Sequence, residues 1–142
     1  MNFIDRAFHQ NLTGDDFLQA MSSIYAEPEV YKILNQYPAF VADVISIIDY
    51  DTVMQMDGFD AMINGNLSDW HLEIIHALDR CGAEREASIL REAKNLSDLD
   101  KDRYEEQYEE FSHQIALNND YEDFWDIVRR YIDRNLTKTK KV

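Results

Sequence analysis

Between Asp57 and Ala93 three glycines, Gly58, Gly65 and Gly82, each fall where an apolar-periodic segment stops. This punctuation most narrows the folds open to the chain. A helix that ends in a left-handed residue takes glycine there, because only glycine reaches positive φ without a Cβ penalty. The three positions therefore read as helix C-caps or tight turns, and consecutive short helices follow. With only 4 Gly and 2 Pro in 142 residues, little else interrupts helix formation.

The periodicity agrees along the chain. Phe3, Ile4, Phe8 and Leu12 belong to a short helix or arm, and Thr13 with Asp16 opens a helix over about 15–25. Pro28 suits the first turn of another helix, which Pro38 interrupts. Val41, Val44, Ile45, Ile48, Val53, Met54 and Met56 form a long, largely buried helix. A strand over Val44–Ile48 is the alternative, but no partner strand exists for it. Phe59–Ile63 reads as one turn leading to the corner at Asn64–Asn66. Ser68 caps a helix with the stripe Leu72, Ile75 and Leu78. Ala83, Ala87, Leu90 and Ala93 line the next helix, with Glu86 and Lys94 on its outer side.

Ser97 is expected to cap a long acidic helix, with Tyr104, Tyr108, Phe111 and Ile115 inward and Asn118 and Asn119 at its end. The final helix carries Tyr121, Phe124, Trp125, Val128, Tyr131, Ile132 and Leu136 on its core side. The expected architecture is all-α: one domain over residues 1–136, a bundle of about six to eight helices, and a basic disordered tail over 137–142.

Charge is the second constraint. The net charge is −14. Lys and Arg stand against Asp and Glu as 2 to 10 in residues 1–60, 4 to 6 in 61–97, 2 to 11 in 98–126, and 6 to 1 in 127–142. Such a surface repels nucleic acid and anionic membrane and attracts basic protein faces. Solubility alone also accounts for an acidic surface. No segment approaches the roughly 18 apolar residues of a membrane span. The first residues lack the basic and apolar regions of a signal peptide, and Cys81 is a lone thiol. A cytoplasmic location is the expectation.

Catalytic and metal patterns are weak. His71 and His76 are five apart, which separates them by about 140° around a helix. The series Asp49, Asp51, Asp57 and Asp60 lacks the glycine and the distal glutamate of a calcium loop. Cys81, beside a helix C-terminus, sits where the dipole disfavours a thiolate. We find no phosphate-binding glycine loop and no nucleophile elbow. The reading is a chain that is not an enzyme and needs no cofactor or metal.

The acidic residues themselves are the remaining feature. Asp98, Asp102, Glu105, Glu106, Glu109 and Glu110 recur at three- and four-residue intervals, so on one helix they form a row of carboxylates. Asp120, Glu122, Asp123 and Asp126 add a second group at the start of the final helix. A row of this kind can stand in for DNA phosphates to a DNA-binding protein.

At Asp57–Asn64 the chain reads DGFDAMIN, at Ala77–Ala83 ALDRCGA, at Ala83–Ala93 AEREASILREA, and near its end YEDFWDIVRRYIDRNL. Over about residues 40–136 it resembles a bacterial family of small acidic helical proteins, otherwise catalogued as a domain of unknown function, whose described member is a DNA-mimic protein from Neisseria. Asp57 stands where the family pattern has its first glycine, and Met62 and Ile63 stand where it often has aromatics. The resemblance implies an all-α fold, dimerisation, and imitation of DNA charge to occupy a transcription factor. The expected partner is a basic DNA-binding protein, not nucleic acid or membrane. An immunity protein that caps a basic nuclease toxin shares the same electrostatics and is the alternative.

Overall fold

The computed structural model describes residues 1–56, 58, 71–99 and 104–140, without the side chains of 96–99, 104–107, 118, 139 and 140. The expected turn at Phe59–Ile63, the corner at Asn64–Asn66, the Ser68 cap and Asp102 lie outside the described residues. The described elements are all helical, and the fold is a single all-α domain. Among the described residues no helix is long and apolar enough to cross a membrane.

Helix α1 (Phe3–His9) opens on a capping box in which Asn2 Oδ1 accepts from the Asp5 amide at 2.9 Å and the Asn2 amide donates to Asp5 Oδ2 at 3.1 Å. Helix α2 (Gly14–Met21) runs into a 3₁₀ turn, Ser22–Tyr25. The segment opened by Pro28 is also 3₁₀, over Pro28–Gln36. Phe8, Phe17 and Phe40 have ring centroids 5.5–6.3 Å apart and pin α1 and α2 to the start of α3 (Ala39–Met56). Edge and tilted ring pairs of this kind add to the area they bury.

Helix α3 is the hub of the bundle. Phe40, Val41, Val44, Ile45, Ile47, Ile48 and Tyr50 are all buried, which spreads around most of its circumference. A helix that is apolar on nearly every side is stable only when neighbours surround it. This also resolves the strand alternative, because the run is short but continues as helix on both sides. Helix α4 (His71–Cys81) packs on α3, and α5 (Glu84–Leu99) packs on α4. Within α4, Ile74, Ile75, Ala77, Leu78 and Cys81 face the core, whereas Leu72 is 56% exposed, so the expected stripe starts at Ile74.

The α4–α5 corner follows the glycine reading. Gly82 has φ +100°, its amide donates to Asp79 O at 3.2 Å, and the Ala83 amide donates to Leu78 O at 2.8 Å. These two bonds satisfy carbonyls left over at the helix end. Gly58, also at positive φ, donates to Val53 O at 3.1 Å after α3. Ala83, Ala87, Leu90 and Ala93 are buried on α5 as expected. Glu86 is not on the outer side: it is 2% exposed.

The acidic segment departs most from expectation. Ser97 and Asp98 lie in the last turn of α5 and not at a helix start, and the acidic helix is the shorter α6 (Tyr104–Gln114). Ile115, extended at ψ 146°, breaks it, and one short turn, α7 (Ala116–Asn119), precedes α8 (Tyr121–Lys140). Helix α8 buries Phe124, Trp125, Val128, Tyr131, Ile132 and Leu136, while Tyr121 is 42% exposed. It continues through Lys140, so residues 137–140 extend a helix where a disordered tail was expected.

Candidate functional site

Two buried carboxylates hold the frame on which the exposed ones stand. Asp43 on α3 accepts from Arg80 Nε at 2.9 and 3.1 Å, from Arg80 Nη2 at 2.6 Å, and from the Tyr131 hydroxyl at 2.6 Å. A forked guanidinium on a carboxylate fixes direction as well as charge, and here it ties α3, α4 and α8. Asp43 holds the Arg80 pKa above its ordinary value, and burial together with Asp43 raises that of Tyr131. Glu86 on α5 accepts from the Tyr50 hydroxyl at 2.7 Å and from the Ala116 amide at 2.6 Å. It therefore joins α5 to α3 and sets where α7 begins. Burial pushes the Glu86 carboxyl upward, against the hydrogen bonds it accepts from Ala116, Tyr50 and Leu117.

From that frame α6 and α8 diverge at a tight corner. Asn119 Nδ2 donates to Ile115 O at 2.9 Å and also to His113 O, and the Asp120 amide donates to Ala116 O at 2.7 Å. On α6, Tyr108 is buried and Phe111 half-buried, which turns Glu109 and Glu110 outward, and both are exposed. Glu105 and Glu106 lie one turn earlier on the same helix. On α8, Asp120, Glu122 and Asp123 are exposed at the N-terminal turn, where the helix dipole favours negative charge.

The structure thus divides the expected row. Asp98 belongs to the last turn of α5 (Glu84–Leu99) and the four glutamates to α6 (Tyr104–Gln114), two elements where the spacing implied one long helix. The four glutamates stay together on α6. The α8 group is not uniformly free either. Arg129 reaches back to Asp126 Oδ1 at 2.7 Å and Asp15 Oδ1 at 3.0 Å, with Glu122 Oε2 at 3.7 Å. Asp126, Asp15 and, at longer range, Glu122 are thereby partly neutralised. Glu109, Glu110, Asp120 and Asp123 make no ion pair among the described residues.

Asp15 and Asp16 were absent from the sequence-based site. They open α2, and α2 is held against α8 by Asp133, whose Oδ1 accepts from the Gly14 amide at 2.8 Å. Their place in a first helical turn was legible from Thr13 onward. The adjacency of Asp15 to Arg129, 114 positions later, was not, because no local pattern encodes it. Helix α8 carries Arg129, Arg130, Arg134 and Lys138 in its later half, so opposite charges occupy its two halves, along roughly 30 Å at 1.5 Å per residue.

Residues 35–135 match a family model described as DMP19-like protein. That span runs from the second 3₁₀ segment to the last turns of α8 and leaves α1 and α2 outside it. No curated protein and no solved structure matches the chain.

Proposed function

The chain belongs to the DMP19-like family, and from that premise we propose that it is a DNA-mimic kind of protein that occupies the basic face of a DNA-binding partner. The observation that carries this reading is the set of exposed carboxylates that make no ion pair among the described residues, Glu109 and Glu110 on α6 and Asp120 and Asp123 on α8, on two helices that meet at one corner. Their number and spacing supply what a DNA groove presents to a protein, a run of negative charge at short intervals. Glu105 and Glu106 extend the run along α6. Glu122 and Asp126 border it with charge that Arg129 partly cancels. The protein acts by covering a surface and not by catalysis, in competition with duplex DNA.

Association driven by such a face is fast and weakens with salt. The test starts by capturing a binding partner from the native cytosol at low and at high salt. Glu109, Glu110, Asp120 and Asp123 are then reversed to lysine, and binding of the captured protein and its displacement by duplex DNA are measured. We expect capture of a transcription factor, loss of binding in the reversed variant with the helical signal unchanged, and competition by DNA. Normal binding by the reversed variant would refute the face. Capture of a nuclease instead would replace the transcriptional reading with the immunity one.

A further inference from the structure

A second feature lies away from the acidic corner, between the two 3₁₀ segments, α3 and α4. A cleft of about 510 Å³ opens there, walled by Leu34, Ala42, Ile45, Val53 and Ile74. Asp49, Tyr25 and Tyr31 line it as well. Both tyrosine hydroxyls converge on this one carboxylate. Tyr25 donates to Oδ1 at 2.7 Å; the Tyr31 hydroxyl stands 2.9 Å from Oδ1 and 2.9 Å from Oδ2. Thr52 spends its own proton on Ile48 O at 2.9 Å, leaving its oxygen 2.9 Å from the Tyr25 hydroxyl as a weaker acceptor.

The contrast with Asp43, six residues earlier on the same helix, gives the cleft its chemistry. Asp43 has a guanidinium clamped to it. Among the described residues the half-buried Asp49 accepts from hydroxyls only, and no lysine, arginine or histidine lines the cleft. The other charged group there among the described residues is a second acid, Glu73. An ionised carboxylate accepts about four hydrogen bonds, so two hydroxyl donors leave capacity unused. Burial pushes the Asp49 carboxyl upward, while it raises Tyr25 to about 12, so the tyrosines stay protonated donors at neutral pH. A partly desolvated acid flanked by two tyrosine rings is matched by a cation, which gains the carboxylate and the ring faces together.

We propose that this cleft binds a small organic cation, an ammonium or amidinium group on an apolar body, with the charged end on Asp49 between Tyr25 and Tyr31 and the body against Leu34, Ile45 and Ile74. The volume fits this class, since small-molecule sites span roughly 300–1,000 Å³ and one lysine side chain would leave most of the space empty. The site is independent of the acidic corner and of any protein partner. Among the described residues none of α6 or α8 lines it.

The test uses the full chain and three probes of one shape: phenethylammonium, neutral 2-phenylethanol and anionic 3-phenylpropionate. Binding is followed by calorimetry, and the site is located by saturation-transfer NMR from the tyrosine rings. The expected result is saturable binding of phenethylammonium alone, weakened at least about tenfold by Asp49→Asn, since hydrogen bonds to charged groups are the strong ones. Tyr31→Phe, which keeps the ring and the packing, should weaken it less. Far-UV circular dichroism establishes that each variant is folded, and Tyr31→Phe serves if Asp49→Asn is not. Failure of phenethylammonium to bind overturns the proposal. So does equal binding of the neutral or anionic probe, or an affinity unmoved by both substitutions.

Discussion

Two sets of carboxylates in this protein do different work. Asp43 and Glu86 are shut inside the bundle, each with two partners drawn from other helices. Glu109, Glu110, Asp120 and Asp123 stand outside it without ion pairs among the described residues. The inner pair acts by direction. Each accepts donors from two other helices, and so specifies which helix lies beside which. The outer set acts by field, which needs only exposure and proximity. The difference teaches that the −14 net charge is not one property of this chain. Part of it is structural, part is paired with Arg129 on the surface, and only the remainder is available to a partner.

Removing an inner carboxylate should cause the largest loss. Glu86→Ala leaves the fully buried Tyr50 hydroxyl and the Ala116 amide without their acceptor. At about 1–3 kcal/mol for each orphaned group, urea unfolding should show a loss of about 3 kcal/mol. An unchanged midpoint would mean that Glu86 does not organise the α5–α7 junction. Gly82→Ala comes next. A Cβ there would meet only Ile127 Cγ2 at 3.9 Å, so the cost is the left-handed backbone at φ +100° and not crowding. About 1–2 kcal/mol is expected from the same measurement. This tests whether the corner that orders the middle helices depends on backbone conformation alone.

The dependence on pH sharpens the comparison further. Burial raises the Glu86 carboxyl above its ordinary value of 4.5. The folded state therefore holds that proton more tightly than the unfolded state. The stabilising contribution is present below about pH 4.5 and is lost as pH rises through the elevated folded value. Asp49 and Asp51, both raised by burial, add to the slope with the same sign. Stability should accordingly fall with rising pH from the mid-4s upward, and Glu86→Gln should flatten that fall in thermal melts taken across the range. A slope identical to that of the parent protein would show that the burial of Glu86 is not felt as a titration.

The smallest expected effect on stability belongs to the outer set. Glu109→Lys with Glu110→Lys should move the unfolding free energy by no more than about 0.5 kcal/mol, since exposed surface charges contribute little. If this pair destabilised as much as Glu86→Ala, the division between inner and outer carboxylates would fail.

Glu86 also shows where the sequence misleads. Glu86 sits on a helix whose alanine stripe assigns the inner face correctly, and helical position places it near the edge of that face. A charged residue at an edge is ordinarily read as exposed. Only the arrival of Tyr50 from 36 residues earlier and of the Ala116 amide from 30 residues later makes burial favourable. Asp98 misled in the opposite way. Its spacing to the later acids fits one helix, but Asp98 belongs to α5 (Glu84–Leu99) and the glutamates to α6 (Tyr104–Gln114), a division that i, i+4 arithmetic does not detect.

By itself the sequence determined the helical class, the corner at Gly82, the buried faces of α3, α5 and α8, and the concentration of acid after residue 97. Each of these is a local property, carried by periodicity, backbone preference or composition within one or two turns. Tertiary structure alone decided which carboxylates are locked inward, that Asp15 joins Arg129 across 114 positions, and that Asp49 opens onto a cleft between two tyrosines. Those outcomes depend on which groups meet across the bundle. A side chain's role is set by the partners that packing delivers to it, and partners far apart along the chain leave no mark on the local pattern.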